Sequence, residues 1–199
     1  MSATSAVSSI SDTRAGYGLV SRSLHWLMAL LFVWQFTSAL LHAFLPDTQV
    51  EGLFWSTHYS VGFTLCVLAI LRGAWGLMNL RRRPRYGGSL LERAAALGHL
   101  SMYILMILVP SLAIVRAIGN GRGLSVYGVQ LVAPGGEPTP LLTAPANLAH
   151  GVLGWVLLAL IIGHVAMALL HGMVWRDSTL DRMTKGRSTK TVAAGSLAR

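Results

Sequence analysis

The stretch HGVLGWVLLALIIGHVAMALLH, residues 150–171, decides the fold of this chain of 199 residues. It is apolar enough and long enough to cross a membrane, yet it carries His150 and His164, fourteen positions apart. At about 1.5 Å and about 100° per residue, that spacing covers about 21 Å and returns to nearly the same helix face. An ionisable residue inside an apolar span is a functional hypothesis by default. We therefore expect one helix to present two imidazoles, one near each side of the bilayer.

The composition predicts an integral membrane protein. Hydrophobic residues make up 53% of the chain and charged residues only 12%, which is too apolar for an ordinary soluble domain. Apolar stretches that reach the roughly 20 residues needed to cross the hydrocarbon core cover residues 23–45, 54–80, 95–118 and 146–174. We predict an all-α, four-helix transmembrane bundle that contacts membrane lipid. It occupies residues 23–176, between a disordered tail at 1–22 and a basic tail at 177–199.

The distribution of basic residues predicts the orientation of this bundle. The net charge is +9, and 13 of the 16 Lys and Arg residues fall in segments 1–24, 79–96 and 173–199. Basic segments favour the cytoplasmic side, so both termini and both tails are expected to be cytoplasmic. No basic stripe is interleaved with aromatic residues, and we therefore expect no nucleic-acid partner.

This topology sorts the histidines by depth. His58 and His150 share the outer level, whereas His25 and His164 share the inner level, and each pair comes from two different helices. That is the requirement for bis-histidine ligation of two stacked b-type haems, and six-coordinate iron suits electron transfer. The single cysteine, Cys66, is expected in helix packing, and the absence of a CxxCH motif excludes covalently attached c-type haem.

Small residues and one arginine accompany these histidines. Glycine lets a flat macrocycle approach the backbone, but it also lets membrane helices pack closely, and either reading fits Gly62, Gly98, Gly154 and Gly163. Arg72 lies fourteen residues after His58, at the depth of the inner haem. It would pair with a haem propionate or extend to the inner lipid headgroups.

Four segments carry a family resemblance: SRSLHW (21–26), THYSVGFTL (57–65), LGHLSMYILMILVP (97–110) and HGVLGWVLLALIIGHVAMALLHGMVWRDSTLDRM (150–183). On these segments the chain resembles the bacterial cytochrome b561 family, and more distantly the cytochrome b subunits of formate dehydrogenases and nickel–iron hydrogenases. The resemblance implies a multi-pass protein of the bacterial inner membrane with two non-covalent b haems. It assigns His25 and His164 to the inner haem and His58 and His150 to the outer haem. His99, in the LGHL motif, is the second candidate for the position of His25.

The resemblance also implies an oxidoreductase role, in which electrons pass between a donor and the ubiquinone pool. Superoxide at the periplasmic face is one such donor. One alternative is a haem-carrying membrane-anchor subunit that serves a redox partner protein, namely a larger dehydrogenase or hydrogenase. An alternative of another class is a proton or ion transporter that uses the intramembrane histidines and would be colourless.

Two further histidines are candidates for contact with quinone or for proton delivery, because quinone reduction consumes protons. His171 and His99 could fill that role, or they could be interfacial histidines. A superoxide site should be electropositive, but the outer links are nearly balanced, with Arg116, Arg122 and His42 against Asp47, Glu51 and Glu137. We assign His42 no role beyond a contact at the outer surface.

Overall fold

The fold is that of a helical membrane protein, as a computed structural model of residues 10–83 and 88–186 shows. The elements in chain order are α1 (Leu19–Phe44), α2 (Gln49–Met78), α3 (Leu90–Gly119), β1 (Leu124–Val126), β2 (Val129–Val132), α4 (Pro140–Met173) and α5 (Thr179–Thr184). Among the described residues, four helices, α1 to α4, are long and apolar enough to cross a membrane. The predicted all-α membrane fold is therefore confirmed, with a small hairpin added to it.

Each long helix begins four to six residues before the apolar stretch that predicted it. The observed starts are residues 19, 49, 90 and 140, where hydropathy placed them at 23, 54, 95 and 146. In α3 the start is missed because the first turn carries polar capping residues. At the start of α3, Glu92 N donates to Ser89 Oγ at 3.3 Å, and Ser89 N donates to Glu92 Oε2 at 3.0 Å. This reciprocal pair is a capping box, which satisfies two N–H groups that the helix leaves unpaired.

The described residues divide into two compact units. We call residues 27–71 and 97–161 the hairpin unit, and residues 10–26, 72–83, 88–96 and 162–186 the terminal unit. Each of α1 to α4 contributes a segment to both units.

The hairpin unit has an apolar core to which all four long helices contribute. Its buried members are Met28, Val61, Leu65, Ala69, Leu105, Met106, Val109 and Leu157. Many other apolar side chains on the same helices are exposed, such as Leu30 at 69% and Val33 at 67%. Helices that expose apolar residues in this way suit a lipid environment, where the surroundings are as apolar as the side chains themselves.

The β-hairpin occupies part of the long segment 119–145, which the sequence predicted only as a link. Its two-residue turn is Tyr127–Gly128, with φ values of 48° and 82°. Such turns require positive φ at both positions, and Gly128 adopts it without strain. Tyr127 N donates to Ser60 Oγ at 3.0 Å, and the Tyr127 hydroxyl lies 3.2 Å from Thr64 Oγ1. These bonds fasten the hairpin to α2.

In the terminal unit, the segment before α1 is held by the buried carboxylate of Asp12. Gly18 N donates to Asp12 Oδ1 at 2.9 Å, and Arg83 Nε donates to Asp12 Oδ2 at 2.8 Å. Residues 10–22 of the predicted disordered tail are therefore folded, because an ion pair and the start of α1 lie within them. Residues 1–9 of that predicted tail lie outside the described residues.

The segment after α4 is also folded where the structure describes it. Arg22 Nη1 donates to the Thr184 carbonyl at 2.8 Å, and Trp26 Nε1 donates to the Met183 carbonyl at 3.3 Å. These bonds attach α5 to the first turns of α1. Residues 177–186 of the predicted basic tail therefore include a short helix bonded to α1, and residues 187–199 lie outside the described part of the chain.

Replacing Asp12 tests whether this first segment stabilises the terminal unit. We expect Asp12→Ala to lower the free energy of unfolding by about 1–3 kcal/mol, because Gly18 N–H and Arg83 lose a buried acceptor. Thermal unfolding in detergent, followed by circular dichroism, measures the change. Arg14→Ala, at an exposed position of the same segment, is the control. Equal melting temperatures for the two variants would show that the segment does not contribute to stability.

Candidate functional site

His25 and His164 come together in the terminal unit. His25 lies on α1 and His164 on α4, and their ring centroids are 6.2 Å apart with the ring planes at 80°. Two imidazoles that bind one metal atom from opposite sides place their centroids about 6 Å apart, since each metal–nitrogen bond is about 2 Å long. The separation therefore fits two histidines that would hold one metal atom.

His150, in the hairpin unit, has a defined tautomer. Its Nδ1 lies 2.9 Å from the carbonyl oxygen of Val109 on α3. A carbonyl oxygen only accepts, so Nδ1 carries the proton and donates it. The lone pair of His150 is consequently on Nε2, which is the nitrogen left for a metal.

A serine fixes the same tautomer in His58. Its Nδ1 lies 2.6 Å from Ser38 Oγ, and the Ser38 hydroxyl donates to the Gln35 carbonyl at 2.7 Å. Because the hydroxyl proton is used in that bond, Ser38 accepts from His58 Nδ1–H, and Nε2 again keeps the lone pair. Gln35 also donates from Nε2 to the His58 carbonyl at 3.1 Å, which links α1 to α2 at this level.

These contacts are those expected around metal-binding histidines. A histidine ligand almost always donates its second ring N–H to a protein acceptor, which fixes the ring and the tautomer. His58 and His150 both do so, and both lie in the hairpin unit. Sequence reasoning named both histidines but missed Ser38, whose only signal was a polar residue within an apolar span.

The glycines divide into two groups. A Cβ added to Gly98, Gly154 or Gly163 would have no described atom within 4 Å, apart from the chain neighbours of the glycine and the nearby backbone of its own helix. A flat macrocycle or a lipid chain could occupy the space beside these three glycines. At Gly62 a Cβ would lie 3.1 Å from Gln35 Nε2, so this glycine serves helix packing.

His171 forms a pair with an acid that sequence reasoning did not name. His171 Nδ1 lies 2.5 Å from Asp177 Oδ2, and Thr179 N donates to Asp177 Oδ1 at 2.8 Å. Burial raises the pKa of Asp177, but the hydrogen bonds from His171 and Thr179 outweigh burial and lower it below its ordinary value of 3.8. Asp177 is therefore an ionised acceptor at neutral pH, and His171 Nδ1 carries a proton.

His42 also has defined partners. Its Nδ1 lies 2.8 Å from Glu51 Oε1, and its ring stacks on Trp55 with the centroids 3.7 Å apart and the planes at 4°. Trp55 lies in turn 4.6 Å from the ring of His58. The spacing of Trp55 and His58, three residues apart on one helix, was the sequence signal for this contact.

The remaining predicted residues, Arg72 and His99, are both half-buried. Arg72 lies on α2 within the terminal unit, which also contains His25 and His164. His99 lies on α3 within the hairpin unit. The contact with His164 that the structure describes is therefore made by His25, and the role of His99 stays a prediction.

A family model described as prokaryotic cytochrome b561 matches residues 16–186 of this chain. The chain belongs to the prokaryotic cytochrome b561 family. Cytochrome b561 homolog 2 of Escherichia coli (strain K12) is 28% identical over 184 residues, which cover 88% of this chain and 94% of the relative. The probable superoxide oxidase CybB of Yersinia pestis is 30% identical over 175 residues, which cover 84% and 94%.

Membership in the cytochrome b561 family confirms the resemblance predicted from the sequence and supports a membrane electron-transfer role. The family implies haem b, and the donor set fits it, because neutral imidazole nitrogen is a common axial ligand of haem iron. The chain provides two histidines with a free Nε2 lone pair in one unit and a histidine pair at 6.2 Å in the other.

Ser38→Ala tests the orientation of His58. The variant leaves His58 Nδ1–H without its acceptor, and we expect about 10- to 100-fold weaker haem binding at this histidine. Transfer of haem to apomyoglobin, followed by absorbance, measures the loss. Thr37→Ala is the matched control, since it removes a neighbouring hydroxyl. Equal haem retention in the two variants would contradict an orienting role for Ser38.

Proposed function

We propose that this member of the cytochrome b561 family is a di-haem electron-transfer protein of the bacterial inner membrane that reduces ubiquinone. The observation that carries the proposal is the 6.2 Å separation of the His25 and His164 rings, which come from two different helices. One haem would be held by these two histidines and the second by His58 and His150. Each bound haem b supplies a one-electron ferric/ferrous couple.

The histidines also determine the type of reactivity. Two imidazoles that held one haem would leave its iron no open coordination position, so the ligand set favours electron transfer over oxygen binding. The hydrogen bonds to Ser38 and Val109 hold His58 and His150 as neutral Nε2 donors. Arg72, in the unit of His25 and His164, is the residue we propose to pair with a propionate of the haem they hold.

The distribution of charge supports an orientation with both termini in the cytoplasm. Thirteen of 16 basic residues lie in the terminal segments and in segment 79–96. In that orientation the terminal unit, with His25, His164 and His171, lies toward the cytoplasm. The outer level that the sequence predicts for His58 and His150 would then be the periplasmic one.

For the electron donor we propose superoxide. The similarity to the probable superoxide oxidase CybB of Yersinia pestis supports this choice, whereas the nearly balanced charge of the outer links provides no steering toward an anion. Two superoxide anions would each lose one electron and leave as dioxygen. One ubiquinone would take up both electrons and two protons to become ubiquinol. The alternative, an anchor subunit that receives electrons from a larger dehydrogenase or hydrogenase, predicts that such a partner co-purifies with the chain.

The protons for quinone reduction require a donor group, and His171 with Asp177 is our proposed source. Asp177 stays ionised and accepts from His171 Nδ1–H, which leaves His171 Nε2 to take up a proton and pass it on. The His171 side chain is 24% exposed, so it reaches both the protein and its surroundings. His99 is the second candidate for contact with quinone or for proton delivery.

Counting haem per chain tests the ligand assignment. We expect the purified protein to hold two b haems, and His25→Ala, His164→Ala, His58→Ala and His150→Ala each to lose one of them. His99→Ala is the control and should keep both. The pyridine haemochrome assay gives the count.

A wild-type count near zero in folded, haem-supplied protein would contradict the cytochrome assignment and favour the transporter alternative. Loss of haem in His99→Ala but not in His25→Ala would exchange the two assignments. Two haems in all of the single variants would contradict the ligand set.

Replacing the acid of the proposed proton donor tests the quinone step. We expect Asp177→Asn to slow ubiquinone reduction severalfold while haem content and haem potentials remain unchanged, because His171 loses its anionic partner. The pair is present above the ordinary pKa of Asp177, and it is lost only as pH falls through the lowered value. The defect should therefore be constant near neutral pH. Asp181→Asn, which changes an acid of α5 that pairs with Lys185, is the control. Equal rates in the two variants would remove Asp177 from the proton path.

A further inference from the structure

A series of three aromatic rings connects an exposed face of the hairpin unit with His58. The His42 side chain is 48% exposed, and Trp55 is 39% exposed. The centroid separations are 3.7 Å from His42 to Trp55 and 4.6 Å from Trp55 to His58. The series therefore begins at an exposed side chain and ends at a proposed haem ligand.

Hydrogen bonds fix both ends of this series. Glu51, buried at 7% exposure, holds His42 through a contact of 2.8 Å to Nδ1. Ser38, buried completely, holds His58 through a contact of 2.6 Å to Nδ1. Trp55 lies between two imidazoles whose positions are set independently, which is more than apolar packing at an exposed helix position requires.

We propose that Trp55 is the bridge through which an electron from a donor outside the protein reaches His58, with His42 as the outermost ring. Electron tunnelling is faster through contacting π systems than across a gap, and this series has no gap wider than a ring contact. One electron would leave a one-electron reductant, such as the superoxide of the proposed function, and a haem held by His58 would supply the ferric/ferrous couple that accepts it. No bond forms or breaks, no proton moves, and Trp55 itself is neither oxidised nor reduced. The proposal rests on the proposed role of His58 as a haem ligand.

The chain provides a matched control in Trp34. Trp34 lies on α1 in the same unit and is 37% exposed, close to the value for Trp55. Its Nε1 donates to Thr57 Oγ1 at 2.8 Å, and its ring packs on Phe54 at 4.2 Å. Within the part of the chain that the structure describes, its ring contacts are with Phe54 and not with a histidine.

The experiment is anaerobic stopped-flow reduction of the detergent-solubilised holoprotein by dithionite, which delivers single electrons. We expect Trp55→Leu and His42→Ala to slow one of the two haem-reduction phases severalfold. Trp55→Phe, which keeps a ring in place, and Trp34→Leu should leave it near the wild-type rate. The same samples are titrated for midpoint potential and examined by electron paramagnetic resonance, which reports the axial ligands.

A bridging role predicts slower reduction with unchanged potentials and ligand signals. Equal rates in Trp55→Leu and Trp34→Leu would overturn the proposal and show that electrons arrive by another route, such as the edge of the macrocycle. Altered potentials or lost haem in Trp55→Leu would also overturn it, because Trp55 would then act on haem binding. Failure of the proposed function is separate, since it would appear as missing haem in the wild-type protein.

Discussion

An imidazole inside an apolar helix has one ring nitrogen that needs a hydrogen-bond acceptor and one that keeps a lone pair. The candidate site depends on which nitrogen is hydrogen-bonded. In His58 and His150 the Nδ1–H donates within the protein, to a serine hydroxyl and to a backbone carbonyl. A buried N–H without an acceptor costs about 1–3 kcal/mol, so these bonds make the histidines tolerable in the span. They also leave the Nε2 lone pair pointing in a fixed direction. The same hydrogen bonds that make the buried ring stable therefore prepare it to bind a metal.

The sequence predicted the parts of the fold that depend on long apolar patterns. Four spans were found, because length and hydropathy suffice to identify a membrane helix. The start of α3 was missed, because its capping turn, formed by Ser89 and Glu92, is polar. The hairpin at Tyr127 was missed because its short strands and its turn have no pattern that separates them from a loop.

For the candidate site, helix periodicity predicted that His150 and His164 share one face of a helix, and the predicted topology sorted the histidines by level. The topology paired His25 with His164, and the structure places these two rings 6.2 Å apart. It could not predict Ser38, Val109 or Glu51 as partners of histidines. Such contacts depend on the rotation and translation of one helix against another, which a single sequence does not encode locally.

The polar groups of the two units also differ in whether they can transfer electrons or protons. In the hairpin unit, His42, Trp55 and His58 form a series of rings in which Nδ1 of each imidazole is hydrogen-bonded, to Glu51 and to Ser38. Ring contact transmits electrons, but the indole between the imidazoles has no acceptor for a proton. In the terminal unit, His171 faces an ionised carboxylate and keeps a nitrogen that can exchange protons. The polar groups of each unit therefore suit a different task. The ring series contains no group placed to relay a proton, whereas the His171–Asp177 pair does.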